Sequence, residues 1–161
     1  MKVINVIASV TKDGSIGNSE TNSLIYRNKS DMNLFRSTTK GATIIMGANT
    51  WRSLPVKPLR GRNNVVISSS IKEGPDFKVY NSLEEALEKI KGYIFIIGGA
   101  SLYGKIQELD IPVKYYFSEW DDERLTGDIK FPNYKELCEN LHITKIYHYP
   151  EFKLKVYMNE H

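Results

Sequence analysis

Two apolar runs, each passing through glycine into a short helix, constrain this chain more than any other feature. The first is Thr43-Ile-Ile-Met-Gly47-Ala-Asn-Thr50-Trp51, which leads through Arg60-Gly-Arg62 to a second β-branched run, Asn64–Ser68. Thr43 to Met46 show no polar–apolar alternation, as in a strand covered on both faces. Gly47 is expected to let the chain turn sharply and to let a ligand approach the backbone. Asn49 and Thr50 open a helix whose free N–H groups attract anions, which predicts a phosphate site at residues 47 to 50. Arg60 and Arg62, just before the next strand, are candidates for a second anionic group. Two anion sites in a small fold suggest a nucleotide cofactor plus an acidic substrate. The second run, Ile94-Phe-Ile-Ile-Gly98-Gly99-Ala-Ser-Leu-Tyr103, has the same strand–glycine–helix order. Read alone, it fits either a pyrophosphate cradle or a tight turn that needs small residues. Its spacing is not that of the G-x-G-x-x-G dinucleotide fingerprint.

The 161 residues fit one domain, 1–161, with a sizeable core. Hydrophobic residues at 41% and charged residues at 25% place the chain among globular proteins. The net charge of +3, from 22 basic and 19 acidic residues, is too weak and dispersed to argue for nucleic acid. It still favours the approach of an anionic substrate. Cys138 is the only cysteine, which excludes an intrachain disulfide and a cysteine metal cluster. His142, His148 and His161 lack ligand spacing, so no metal is expected. The apolar start, Met1 to Val10, is interrupted by Asn5 and reads as a strand rather than a signal peptide. No run approaches the length of a membrane span. A cytoplasmic monomer is the expectation.

Strands are predicted at Lys2–Val10, Ala42–Met46, Asn64–Ser68, Phe77–Tyr80, Tyr93–Ile97, Val113–Trp120, His142–Tyr149 and Phe152–Met158. Helices are predicted at Lys29–Thr39, Asn49–Leu54, Leu83–Lys91 and Ala100–Leu109. Ser82-Leu-Glu-Glu is a capping-box pattern, with Leu83, Ala86, Leu87 and Ile90 as an apolar stripe. Alternating strands and helices imply a mostly parallel sheet, and the short link Tyr149-Pro150-Glu151 implies a closing antiparallel hairpin. The result is an α/β fold with a mixed eight-stranded sheet and flanking helices. The polar segment Thr11 to Asn28 does not read as an element and is expected to be a mobile lid beside the cleft. Asp31, in the first turn of its helix, suits the helix dipole whatever its role. Pointed into an apolar cleft, it would instead bind a cyclic amidine or guanidine-like group.

Taken in order, Ile7-Ala8, Ile16-Gly17, Asp31 with Phe35, Met46-Gly47-x-x-Thr50-Trp51, Ser53, Pro58-Leu59-x-Gly61-Arg62, Ser68-Ser69, Ile97-Gly98-Gly99-x-x-x-Tyr103 and Gly127-Asp128-x-x-Phe131-Pro132 span nearly the whole chain. In this order and spacing they resemble the dihydrofolate reductase family. The resemblance implies a dihydrofolate-reductase-like fold and reduction of dihydrofolate by hydride transfer from NADPH. It implies catalytic roles for Asp31, Tyr26 and Ser118, with the Ser118 hydroxyl bonding Asp31 and the pterin 2-amino group. Ile7, Ala8, Met32, Phe35, Leu59 and Ile97 would wall the substrate rings. Arg62 would grip the carboxylate of its glutamate tail, with Lys57 at the edge. Ala8, Ile16, Gly17, Gly47, Ala48, Asn49, Thr50, Ser68, Ser69, Ser70 and Gly98 through Tyr103 (Gly98, Gly99, Ala100, Ser101, Leu102, Tyr103) would hold NADPH. The Gly98–Gly99 peptide is expected to be cis.

The chain departs from the family pattern at four places. Tyr26 stands where the family has Trp, with no Pro before Asp31. Ala48, Asn49 and Ser101 stand where basic residues are common around the cofactor phosphates, so the choice between NADPH and NADH stays open. A reductase of riboflavin synthesis shares the fold, but its substrate lacks the glutamate tail that Arg62 would bind. The other alternative is a catalytically weakened folate- or nucleotide-binding domain, or a structural one.

Overall fold

Successive residues of the central strands feed opposite cores, and this fixes the layered architecture. The computed structural model describes residues 3–18, 23–24, 29–121 and 127–159. Its elements are β1 (Ile4–Thr11), β2 (Ser15–Asn18), β3 (Ser23–Leu24), α1 (Lys29–Thr39), β4 (Thr43–Gly47), α2 (Ala48–Ser53), β5 (Asn63–Ile67), β6 (Phe77–Tyr80), α3 (Leu83–Lys89), β7 (Ile94–Gly98), α4 (Ala100–Gln107), β8 (Val113–Trp120), β9 (Ile129–Lys130), α5 (Tyr134–Asn140), β10 (His142–His148) and β11 (Phe152–Met158). Val6, Ala8 and Ile45 join one apolar cluster, which is covered by Leu83, Leu102, Ile106 and Leu137 from α3, α4 and α5. Their neighbours Ile7, Ile44 and Met46 join the other, under Trp51 of α2 and Phe35 of α1. This is the two-sided burial predicted for an unalternating apolar strand.

The eight strands order as β10-β11-β8-β1-β7-β4-β5-β6. From β8 to β6 all neighbours are parallel. β11 runs antiparallel to β8 and to β10, which closes the sheet with the predicted hairpin. All eight predicted strands and four predicted helices are present, with boundaries displaced by at most two residues. The predicted cap on α3 forms, Ser82 Oγ accepting from the Glu85 N–H at 3.1 Å. Among the described residues no helix is long and apolar enough to cross a membrane.

The reading of Thr11 to Asn28 as a segment without elements is corrected. β2 and β3 form a small sheet with β9, in the order β3-β2-β9. The turn into β2 uses Gly14 at φ +82°, a conformation open to glycine at little cost. A polar cluster pins it. The Ser15 N–H donates to Thr11 Oγ1 at 3.0 Å, and Lys130 Nζ reaches Asp13 Oδ2 at 2.7 Å and Ser15 Oγ at 2.8 Å. The Lys130 contact holds Asp13 well below the usual carboxylate range. Such strands carry no apolar alternation, and the β9 partner of β2 lies more than a hundred residues away, so a local pattern cannot show that pairing. The remainder of the expected lid, residues 19–22 and 25–28, lies outside the described residues. α5 was likewise not predicted. It follows Asn133 at φ +62°, has no side-chain cap and buries no residue fully.

Gly47 also differs from expectation. Its φ is −80°, which any residue adopts, and an added Cβ would lie 3.8 Å from the Gly99 nitrogen. That is an ordinary van der Waals distance, so neither a sharp turn nor a clash demands glycine at this position.

Phe117 is fully buried and meets Tyr115, Phe131, Tyr134 and Tyr157 at ring-centroid distances of 5.1–5.8 Å. Phe117→Ala is expected to cost about 3–5 kcal/mol. Urea unfolding should show a lower midpoint at an unchanged slope.

Candidate active site

A cleft of about 1230 Å3 opens along one edge of the main sheet, lined by Ile7, Ala8 and Ser9 of β1, Gly47 of β4, Ile67 of β5, Ile97 and Gly98 of β7 and Ser118 of β8. Apart from those of β1, these positions lie at or near the carboxyl ends of their parallel strands, where open α/β sheets bind ligands. The volume exceeds that of a usual single-ligand pocket, roughly 300–1000 Å3. It has room for two ligands.

One end is built around Asp31. Ser9 and Ser118 are cross-strand partners on β1 and β8, so their side chains share one face of the sheet. Asp31, in the first turn of α1, lies over that face. Ser9 Oγ donates to Asp31 Oδ2 at 2.5 Å, and the Ser118 hydroxyl donates to the same carboxylate. Burial pushes the Asp31 carboxyl above its ordinary value, and the two hydroxyls only partly offset this. Ile7, Phe35, Leu59 and Ile97 supply apolar wall around it, and Met32 lies at the rim, 42% exposed.

Helix α1 then acts as a ruler. Asp31, Phe35 and Thr39 follow one another at four-residue intervals along one side, so Asp31 and Thr39 lie about 12 Å apart along the axis. Thr39 is fully buried. Its hydroxyl donates to the Phe35 carbonyl at 2.8 Å and accepts from Arg62 Nε at 2.7 Å. The Arg62 guanidinium also donates to the Arg36 carbonyl at 3.1 Å and to the Arg60 carbonyl, and it lies 5.8 Å from the centre of the Phe35 ring. Burial, and then the nearby Arg36 charge, lower its pKa. The site thus holds a carboxylate at the first turn of α1 and a guanidinium fixed against the last turns of the same helix.

The other end is backbone-rich. The peptide between Gly98 and Gly99 is cis, as expected. Gly98 has φ +143°, and an added Cβ would fall 2.9 Å from Thr50 Oγ1, so only glycine fits. α2 begins at Ala48 and α4 at Ala100, and neither N-terminus is capped by a side chain. Both starts line the cleft, and their N–H groups are open to an anion. Tyr103 is buried, donates to the Ile7 carbonyl at 2.8 Å, and has its phenol pushed up by burial.

The structure brings together in this cleft Ile7, Ala8, Ile16, Gly17, Asp31, Met32, Phe35, Gly47, Ala48, Asn49, Thr50, Leu59, Arg62, Ile97, Gly98, Gly99, Ala100, Ser101, Leu102, Tyr103 and Ser118. It does not bring in Lys57, whose Nζ lies 5.6 Å from the Trp51 ring and bonds the Arg52 carbonyl at 3.3 Å. Ser68, Ser69 and Ser70 also fall outside the lining; Ser68 Oγ accepts from the N–H groups of Ser70 and Ile71 in a local turn. Tyr26 lies outside the described residues. Sequence reasoning missed Ser9, Ile129, Arg36 and Lys40 as lining residues. Ser9 was within reach of it, because alternation along β1 puts it on the same face as Ile7.

Fold and cleft define an α/β protein whose one large cleft joins an end holding a carboxylate and a guanidinium to an end lined by uncapped helix starts and a glycine pair. The family model described as dihydrofolate reductase matches residues 3–146. Among curated relatives, a dihydrofolate reductase of Neisseria meningitidis serogroup A is 38% identical over 135 residues, 82% of this chain and 80% of that one. A dihydrofolate reductase of Schistosoma mansoni is 34% identical over 131 residues, 70% and 69% of the two chains. A bifunctional dihydrofolate reductase-thymidylate synthase of Paramecium tetraurelia is 28% identical over 162 residues, 99% of this chain but 29% of that protein. The chain belongs to the dihydrofolate reductase family.

Because burial raises the Asp31 pKa, the folded state holds that proton more tightly than the unfolded chain. The stabilisation is complete below the unfolded carboxyl value, near about 3.9, and is lost as pH rises through the folded value. Asp31→Asn is therefore expected to melt at higher temperature than wild type at pH 7, with the gap closing as pH falls into the acid range. Differential scanning calorimetry across that range checks both the sign and the trend.

Proposed function

We propose that this protein reduces 7,8-dihydrofolate to tetrahydrofolate with NADPH as hydride donor. The observation that carries the reading is the placement along α1 of a half-buried, serine-held carboxylate and a clamped guanidinium. A pterin offers an amidine edge, and its glutamate tail offers a carboxylate. Asp31 binds the pterin N3 and 2-amino group as a charge-assisted pair, and the Ser118 hydroxyl holds the carboxylate in place. Its raised affinity for a proton lets it share one with the ring and favour the protonated pterin. Arg62 forks onto the tail carboxylate. Ile7, Phe35, Leu59 and Ile97 exclude water around the rings, and a water at the cleft edge gives N5 its proton.

The backbone-rich end fits a dinucleotide. The uncapped starts of α2 and α4 would hold the phosphates, and Gly98 and Gly99 leave room where a Cβ would meet Thr50. When bound there, NADPH supplies the hydride for C6 of the pterin. The protein's share is orientation and a dry, preorganised site. Among the described residues lining that end no side chain is cationic, so the preference for NADPH over NADH is expected to be small.

The test follows cofactor oxidation by absorbance at about 340 nm with dihydrofolate. Wild type is expected to turn over with both cofactors, and Asp31→Asn to lose about a hundredfold or more in kcat/KM. Arg62→Gln should mainly raise KM for dihydrofolate. Tight binding of both ligands without turnover would overturn the reductase reading in favour of a binding domain.

A further inference from the structure

The function proposed above employs Asp31 and Ser118 and leaves Ser9 without a task of its own. The neighbours of Ser9 on β1, Ala8 and Val10, belong to the core beneath α3, α4 and α5. Ser9 therefore points the other way, toward α1. It is half-buried and lines the cleft. Its Oγ lies 2.5 Å from Asp31 Oδ2, the separation of a hydroxyl that donates to a charged oxygen. Ser118, its partner in register on β8, is buried and donates to the same carboxylate.

A serine hydroxyl carries one proton and two lone pairs. With that proton committed to Asp31, Ser9 has only lone pairs to turn toward the cleft. The same holds for Ser118, and an ionised carboxylate is an acceptor alone. Three side chains thus meet at one point and offer a ligand acceptors. The cations among the described lining residues are Arg36 in the last turn of α1, Lys40 just after it, and Arg60 and Arg62 before β5. They serve the far end of α1, not this one. An amino group on a ring edge brings two N–H donors to such a floor. An oxo group at the same place brings further lone pairs, and polar groups left unpaired out of water are costly.

We infer that Ser9 is a specificity-determining residue for the head of the substrate: by donating to Asp31 it fixes the carboxylate and turns its own lone pairs to the cleft, which selects a ring edge bearing an amino group over one bearing an oxo group. The inference rests on the function proposed above and assigns a residue to its selectivity. Asp31 takes the ring N–H and one N–H of the amino group. Ser9, the less buried of the two serines, accepts the second.

The test compares folate with its analogue carrying oxygen in place of the 2-amino group, by isothermal titration calorimetry, in wild type, Ser9→Ala and Ser9→Thr. Wild type should bind folate about a hundredfold tighter or more. Ser9→Ala should cut that ratio about tenfold, chiefly by weakening folate. Ser9→Thr keeps a hydroxyl and should keep most of the ratio. Carbon-13 NMR of the free protein reads the hold on Asp31 separately. Loss of the Ser9 hydroxyl removes a bond to the charged form, so the Asp31 titration in Ser9→Ala should move up by about one pH unit. A ratio that Ser9→Ala leaves unchanged, a ratio as low in Ser9→Thr as in Ser9→Ala, or an Asp31 titration that does not move would overturn the inference while leaving the reductase reading intact. Wild type that binds neither folate nor NADPH would overturn the reductase reading, and the role of Ser9 with it.

Discussion

A carboxylate taken partly out of water must be held in place, and the way Asp31 is held organises the site. Its two hydroxyl donors come from β1 and β8, brought side by side by an eight-residue parallel register. That register depends in turn on the central strands filling both cores, because a slip of one residue would turn Ser9 and Ser118 to the opposite face. The polar constellation is thus only as exact as the apolar packing beneath it. The raised affinity of Asp31 for a proton is the cost of that placement and also what makes it a good partner for an amidine edge.

The cleft is chemically asymmetric, and the asymmetry follows from where the chain puts its helices. α1 lies across one end and carries Asp31, Phe35 and Thr39 along one side, so one rigid element sets the separation between a carboxylate and the Arg62 guanidinium. α2 and α4 begin at the other end and offer backbone N–H groups without a cation. Side-chain charge therefore dominates one end of the cleft and backbone dipoles the other, so under the proposed function two ligands would meet near the glycine pair without competing for the same groups.

Much of this was legible in the sequence because its causes are local. Unalternating runs such as Ile94–Ile97 announce strands buried on both faces, and Ser82 announces a helix start. Asp31, Arg62 and the Gly98–Gly99 pair are recognisable from their neighbours in the chain. What escaped reading depends on distant partners. β2 and β9 are short and polar and exist through pairing and through the Asp13–Lys130 contact across 117 residues. The role of Ser9 depends on its register with Ser118. Lys57 and the Ser68–Ser70 turn were read toward the cleft, but local contacts with Trp51, Arg52 and their own backbone hold them elsewhere.

The central claim is that Asp31 is a serine-held carboxyl of raised pKa that pairs with the head of the substrate. Carbon-13 NMR of the aspartate carboxyls, assigned by comparison with Asp31→Asn, measures it directly in the free protein and with folate bound. The account predicts a free-protein titration above the ordinary aspartate value, and a resonance that shifts and changes its titration when the pterin edge binds. A carboxyl that titrates at or below the ordinary value, and that ignores the ligand, would contradict it.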